Sequence, residues 1–341
     1  MHTRSVRSSA HSARSWRRVD GITLIELLVA LSISLLVLFA VISIYVPTKQ
    51  NTRLQAGISR ANETAQVATE VVSREFRQIA NSGCPSLAAT SVVNDSLTDT
   101  GVTNAFEMKS DTIVRLLSPS DSGTPATAEA GTAIIDFVHA ARDGVHLAAK
   151  AADRYSPLYV TGDPGMSAAT PSSLNGYPVA VVSTCNAGEI FQVASVAATG
   201  IAATPWKVDP LNKLRVPYTL NARVAPATRT QFYVAPFTRA SGERSSRALY
   251  MRTMRRDLSN WNVGQPIAHD LVSVNVILHL DTDGDYQNDT EVPFGAAYNP
   301  SQVVGLTLRF TFETPESVNG TAGARVQRPL TTAISIRARL T

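Results

Sequence analysis

Residues 21–46 read GITLIELLVALSISLLVLFAVISIYV, and Glu26 is the only charged residue in this run. From Leu27 to Val46 the chain carries no charge over 20 residues. As a helix with a rise of about 1.5 Å per residue, that stretch would span roughly 30 Å, the hydrocarbon thickness of a bilayer. The run is longer than the apolar core of an ordinary secretory signal, and no A-x-A-like cleavage site follows it. The sequence therefore predicts a membrane-spanning helix.

The positive charge of the chain is concentrated before this run. The first 21 residues hold five of the 31 basic residues and one of the 27 acidic residues, so the remaining 26 of each sign cancel. The five are Arg4, Arg7, Arg14, Arg17 and Arg18. Basic residues that precede a span favour a cytoplasmic N-terminus and an exported head. The neutral remainder has no net field to hold phosphates, so no nucleic-acid partner is indicated.

The segment Gly21-Ile22-Thr23-Leu24-Ile25-Glu26, followed by LLVALSISLLVL, resembles the prepilin signal of type IV pilins and type II secretion pseudopilins. The resemblance implies that a prepilin peptidase cleaves after Gly21 and methylates Ile22, although the family most often has Phe at that position. Residues 1–21 would be a cytoplasmic leader that is removed, while residues 22–46 stay on the subunit as its transmembrane helix. Glu26 could then neutralise the new amine of its own or an adjacent subunit, since either charge alone is costly in an apolar core. A plain signal anchor with an incidental glutamate is the alternative.

A second helical stretch follows the span. Pro47 predicts a kink or an interruption of the helix. Beyond it, residues 47–83 are predicted to form an amphipathic helix, because apolar residues recur every three or four positions from Leu54 to Ile79. Asn81-Ser82-Gly83 would end it. Such a helix has one apolar stripe, which is expected to dock on a sheet.

The remainder, residues 84–341, is predicted to be a β-rich periplasmic or extracellular head. The candidate strands are Pro178–Ser183, Glu189–Val196, Gln231–Ala235, Ala248–Thr253, Leu271–Leu280, Val303–Thr311 and Ala333–Leu340. Residues 88–132 and 161–175 are rich in small and polar residues and are interpreted as long surface loops. The predicted class is α+β and pilin-like, with one long N-terminal helix packed on a mostly antiparallel sheet that carries long loop insertions.

Two cysteines, Cys84 and Cys185, allow one intramolecular pairing. An exported head lies in an oxidising compartment, which favours a disulfide. The bridge would close a loop of about 100 residues and contribute up to roughly 4–5 kcal/mol in the chain-entropy model. Two unpaired buried thiols are the alternative.

One acidic cluster has the spacing of a metal site. Four aspartates occupy positions 1, 3, 5 and 9 of an EF-hand-like calcium loop. They are Asp281, Asp283, Asp285 and Asp289. The match is incomplete, because Tyr286 stands at position 6, Glu291 lies one place before position 12, and the flanks read as strands. The hypothesis of a calcium site competes with a surface turn rich in Asp and Gly, and no other cofactor is indicated.

The sequence contains no HExxH, GxSxG or GxxxxGK[ST] motif, so it gives no support to an enzyme. The late Leu-Asp-Thr-Asp-Gly-Asp segment and the terminal Thr-Ala-Ile-Ser-Ile-Arg-Ala-Arg-Leu resemble the PilW group of minor pilins, which are related to J-type minor pseudopilins. This resemblance implies a minor pilin of the priming or tip complex in type IV pilus assembly. The alternatives are a J-like pseudopilin of a type II secretion system and a ligand-binding or adhesin module at the pilus tip.

The same resemblance implies where the protein resides and what it contacts. It would begin as a single-pass inner-membrane protein in contact with lipid, with its N-terminus cytoplasmic and its head periplasmic, and would later reach the pilus and cell surface. The expected partners are the prepilin peptidase, other minor pilins, the major pilin and the inner-membrane assembly platform.

Overall fold

The computed structural model describes residues 23–79, 92–96, 106, 114–141, 144–162, 164, 179–184, 187–238, 246–254, 261–314 and 325–336. Within these residues the chain forms one α-helix and 15 strands. They are α1 (Leu24–Phe76), β1 (Val92–Ser96), β2 (Val114–Leu117), β3 (Ile134–Ala140), β4 (Val145–His146), β5 (Leu158–Val160), β6 (Val179–Ser183), β7 (Gly188–Ala198), β8 (Trp206–Pro210), β9 (Arg223–Phe237), β10 (Ser246–Thr253), β11 (Gln265–His269), β12 (Leu271–Leu280), β13 (Thr290–Pro293), β14 (Val303–Glu313) and β15 (Gln327–Ser335). The chain divides into two compact units, Met1–Arg53 and Leu54–Thr341.

In the first unit, α1 carries apolar side chains on every face between Leu27 and Val46. Every residue from Thr23 to Arg53 is exposed, and the large apolar side chains between Leu24 and Val46 are 48–78% exposed. The most apolar window has a mean hydropathy of 2.9, and the helix is long enough to cross a membrane. A helix is the form such a segment must take in lipid, because it satisfies its own backbone groups.

Of the kink or interruption predicted at Pro47, the interruption is wrong, because α1 continues through this residue. Proline removes one backbone N–H, but its fixed φ near −65° is itself helical. Neighbouring hydroxyls supply extra bonds to the helix carbonyls: Thr48 Oγ1 donates to the Ile44 carbonyl at 2.7 Å, and Thr52 Oγ1 donates to the Thr48 carbonyl at 2.9 Å. One missing hydrogen bond is therefore tolerated within a 53-residue helix.

In the second unit, α1 has the predicted apolar stripe. Its buried positions are Gly57, Ala61, Ala65, Ala68, Val72 and Phe76. Small residues allow close approach of the backbone, and a Cβ on Gly57 would lie 3.3 Å from Cβ of Thr314. The helix ends at Phe76, earlier than the predicted 83, because Gln78 and Ile79 donate to carbonyls three residues back and form a tight turn. Asn81-Ser82-Gly83 lies outside the described residues.

The smaller sheet is antiparallel, with the order β13-β12-β14-β15. Its inward residues share one hydrophobic core with the stripe of α1, and Leu306 and Phe310 are almost completely buried there. The ring of Phe76 lies 5.3 Å from that of Phe137 and 5.5 Å from that of Phe232, which come from the larger sheet. The second half of α1 is thus held by residues of both sheets.

The larger sheet has 11 strands in the main order β11-β10-β9-β6-β7-β8-β5, with β1 to β4 attached to β7, β3 and β9. Among the described strands, only β1 and β7 pair in parallel. Strands β4, β5, β8, β7, β6 and β9 pair in a closed circuit, which the Leu147–Val160 bridge completes. These strands line a second core that includes Leu158, Phe191 and Val208.

The α+β prediction, with one long helix and a mostly antiparallel sheet, is confirmed. Six of the seven candidate strands lie on observed strands, although β9 begins at Arg223. The seventh, Ala333–Leu340, overlaps β15 only at residues 333–335, and residues 337–340 lie outside the described residues. The prediction that residues 88–132 form a loop is wrong in part, since this segment contains β1 and β2 and the buried Phe106. Its small and polar composition concealed short strands that pair with β7 and β3. Most of residues 161–175 lies outside the described residues.

Candidate functional site

Glu26 lies in the first turn of α1 and forms a reciprocal cap with Thr23. The backbone N–H and the hydroxyl of Thr23 both donate to Glu26 Oε2 at 3.1 Å. In return, the backbone N–H of Glu26 donates to Thr23 Oγ1 at 3.3 Å. This capping box satisfies donors that a helix N-terminus leaves unpaired, and it places a carboxylate at the positive end of the helix dipole.

The cap was missed in the sequence reasoning, which considered Glu26 only as a partner for an amine. The signal was present as Thr-x-x-Glu at residues 23–26. Among the described residues, the other carboxylate oxygen, Oε1, accepts no hydrogen bond. The side chain is therefore fixed by one oxygen while the second can accept a donor from outside the helix.

Gly21 and Ile22, the predicted processing residues, lie outside the described residues. Ile22 directly precedes Thr23 in the chain. An amine created by cleavage after Gly21 would therefore stand one residue before the capping box.

Residues 16–42 match the family described as Prokaryotic N-terminal methylation motif. This match supports a type IV pilin-like protein. Together with the apolar start of α1, it supports membrane anchoring, processing by a prepilin peptidase and assembly with other pilins at the pilus surface. Comparisons with curated proteins and with solved structures gave no match. The motif is typical of a structural protein that does no catalysis.

Three of the four predicted calcium ligands come together in the hairpin loop between β12 and β13. One carboxylate oxygen from each of Asp281, Asp283 and Asp285 lies within 4.8 Å of the other two. Asp289 is used differently, because its Oδ2 accepts the backbone N–H of Thr282 at 2.7 Å and the Thr282 hydroxyl at 2.8 Å. These two hydrogen bonds hold the pKa of Asp289 below its ordinary value.

Backbone geometry compensates for one departure from the EF-hand pattern. Tyr286, which stands where a glycine is expected, adopts a positive φ of 64°. The carboxylate of Asp281 supports this turn, since it accepts the backbone N–H of Gly284 at 2.6 Å and that of Tyr286 at 2.9 Å. The loop is also a self-sufficient hairpin turn, so calcium binding stays a prediction, which titration calorimetry on wild type and Asp283→Ala would test.

Cys84 and Cys185 lie outside the described residues. The disulfide stays a prediction, and thiol labelling of the exported protein with and without reductant would test it. Free reactivity of both thiols in the native protein would reject the bridge.

A buried ion cluster in the larger sheet had no sequence signal. Asp136 is completely buried and accepts Arg229 Nε at 2.9 Å, Arg229 Nη2 at 2.7 Å and Arg115 Nη2 at 2.7 Å. The Arg229 guanidinium lies 5.3 Å from the ring of Trp261, and that of Arg252 lies 4.2 Å from the same ring. With two arginines on one carboxylate, the cluster is suited to fixing strand pairing between β2, β3 and β9.

Glu189 is a second fully buried carboxylate. It accepts the backbone N–H of Arg215 at 2.8 and 3.0 Å and the hydroxyl of Tyr218 at 3.4 Å. Burial, with the negative charge of Glu189 adding to it, raises the pKa of Tyr218. Tyr218 therefore stays protonated and serves as a donor within the second core.

Proposed function

We propose that this chain is a minor pilin of the PilW type, which enters type IV pili through its N-terminal helix and acts in the priming or tip complex. The observation that carries the proposal is a prepilin-type motif whose glutamate caps a helix with exposed apolar side chains between Leu24 and Val46. The peptidase cleaves between Gly21 and Ile22, and the arginine-rich leader stays in the cytoplasm. The head, residues 84–341, is exported.

Before assembly, lipid covers the apolar side chains of the helix. The large apolar side chains between Leu24 and Val46 are 48–78% exposed, so lipid or neighbouring helices must bury them. In the filament, helices of adjacent subunits replace the lipid. This exchange keeps the apolar surface out of water at every stage.

The cap explains how Glu26 can both hold the start of the helix and accept an amine from another subunit. Oε2 remains bonded to Thr23, which holds the carboxylate at the helix start, and Oε1 accepts the amine of an adjacent subunit. An ammonium and a carboxylate each carry a large desolvation penalty in an apolar core, so the pair is favoured over either charge alone. A subunit without this carboxylate would bring an unpaired amine into the bundle.

The first test is N-terminal mass spectrometry of the membrane form. The proposal expects a mature chain that begins at N-methylated Ile22. A chain that begins at Met1, or one that has lost everything up to Tyr45, would overturn it.

The second test measures entry into filaments. Glu26→Ala and Glu26→Gln should leave membrane insertion intact and lower recovery in sheared pili. Thr23→Val removes the two hydrogen bonds of the Thr23 hydroxyl but keeps the carboxylate and its bond from the backbone N–H, so it should have the smaller effect. Recovery unchanged in all three variants would contradict the role of Glu26. A loss of type II secretion with normal piliation would instead indicate the J-like pseudopilin.

A further inference from the structure

The β15 strand forms an open edge of the smaller sheet. Among the described residues it pairs only with β14. Ile336 donates its backbone N–H to the Val304 carbonyl at 2.8 Å, which fixes the phase of the ladder. Because hydrogen-bonded pairs alternate in an antiparallel ladder, even-numbered residues of β15 bond to β14. The N–H and C=O groups of Thr331 and Ala333 therefore point away from it, whereas Pro329 at the same phase offers only a carbonyl.

A groove of about 660 Å³ lies between this edge and α1. Its lining includes Leu330 of β15 and Thr69, Glu70, Ser73, Arg74 and Arg77 of α1. Leu330 and the buried Ile334 belong to the face of β15 that packs on the core, so the groove opens on that same face. An extended chain laid along β15 would direct every second side chain into the groove, because side chains alternate along a strand.

The surroundings of the edge favour a partner with acidic side chains. Three arginines flank the groove or the strand, namely Arg77, Arg309 and Arg328. Two nearby carboxylates are already paired, Glu75 with Arg74 at 3.2 Å and Glu313 with Arg325 at 3.4 Å. Glu70 is the remaining acidic residue in the groove lining. Among the described residues around this edge, basic groups therefore outnumber the acidic groups that could balance them.

We propose that β15 accepts an extended, acid-bearing segment from the head of a different pilin-type subunit as an additional strand. Backbone hydrogen bonds to Thr331 and Ala333 would hold the segment, and the arginines would select its acidic side chains. This inference rests on the proposed function, since the partner is a subunit of the same assembly. It adds a head-to-head contact to the helix contacts.

The backbone prediction is tested with two substitutions at one position. Thr331→Pro removes an outward N–H without touching the bonds to β14, while Thr331→Val removes the same hydroxyl and keeps the N–H. Recovery of the full chain in sheared filaments should fall about three- to tenfold for proline and stay near wild type for valine, as expected for loss of one hydrogen bond. Equal recovery of both variants, at equal membrane levels and equal thermal unfolding of the purified full chain, would overturn strand addition.

Photo-crosslinking keeps the test decisive if Thr331→Pro fails to fold. A benzophenone amino acid at Ala333 should give an adduct with a second pilin-type subunit, and mass spectrometry should place the link on an acid-bearing segment of that subunit's head. The control position is Leu220, which is 55% exposed on the larger-sheet side of the head. An adduct only with another copy of this chain, or equal adducts from both positions, would overturn the proposal.

The two hypotheses fail in different ways. Normal filament entry that depends on Glu26 but not on Thr331 would reject strand addition and keep the minor-pilin function. Absence of the wild-type chain from filaments, with the Ala333 adduct retained in membranes, would reject the filament function and keep the edge contact.

Discussion

The two halves of α1 have the same secondary structure but bury their apolar surface in different ways. From Leu24 to Arg53 the helix is exposed on every side, whereas from Leu54 to Phe76 one stripe is buried against the sheets. The large apolar side chains between Leu24 and Val46 are 48–78% exposed, whereas the stripe of the second half is buried. Both halves are helical, so the helix forms whether or not its apolar side chains are buried within the chain. Burial against the sheets stabilises the second half.

The largest expected effect separates two phenylalanines of the same helix. Phe76→Ala should lower the free energy of unfolding of the head by about 4 kcal/mol, because Phe76 is 1% exposed and its removal leaves a cavity beside Phe137 and Phe232. Phe39→Ala, at a position that is 72% exposed, should leave head unfolding unchanged. Denaturant unfolding of both full-length variants in detergent measures this. Equal losses would show that the two halves do not differ as described.

The second prediction compares two carboxylates. Asp136→Asn should cost the head about 3 kcal/mol, because Arg115 and Arg229 would keep their charges without the buried partner. Glu63→Gln, on the exposed face of α1, should change the unfolding free energy by less than about 0.5 kcal/mol. A small effect of Asp136→Asn would mean that water reaches the ion cluster.

The smallest effect concerns the hairpin loop of the head. The pKa of Asp289 is lowered from its ordinary value of 3.8, chiefly by the backbone N–H and then by the hydroxyl of Thr282. The carboxylate therefore adds stability above pH 3.8, and this contribution is lost as the pH falls through the lower pKa of the folded state. The difference in thermal midpoint between wild type and Asp289→Asn should shrink to zero over that interval. A constant difference between neutral and strongly acidic pH would contradict it.

The sequence was most informative where one pattern extended over many residues. The apolar run before Pro47 and the alternating β12 strand appear as predicted, and the stripe of α1 appears with an earlier end, at Phe76. Of the four predicted calcium ligands, Asp281, Asp283 and Asp285 come together, whereas Asp289 bonds to Thr282, and calcium binding itself stays a prediction. In a long regular element, the spacing of apolar residues indicates which face is buried, and this is why these elements could be predicted.

Short and fully buried elements were not predictable in the same way. The β3 strand is buried at all seven positions, so it has no alternation that would distinguish it from other apolar runs. β4 and β5 are two and three residues long and exist through pairing with distant strands. The Asp136 cluster joins residues from β2, β3 and β9. These residues are far apart in the sequence, so no local spacing pattern predicts their contact.

The circuit of strands around the second core has an evolutionary consequence. It interrupts the larger sheet between Ala140 and Ala227, which face each other on β3 and β9. Because the chain leaves the β3–β9 ladder at Ala140 and returns to it at Ala227, directly opposite, the residues between them can change in evolution. The part of the sheet that packs on Phe76 can stay the same. Selection can thus vary the surface formed by this segment without changing the core that joins α1 to the sheets.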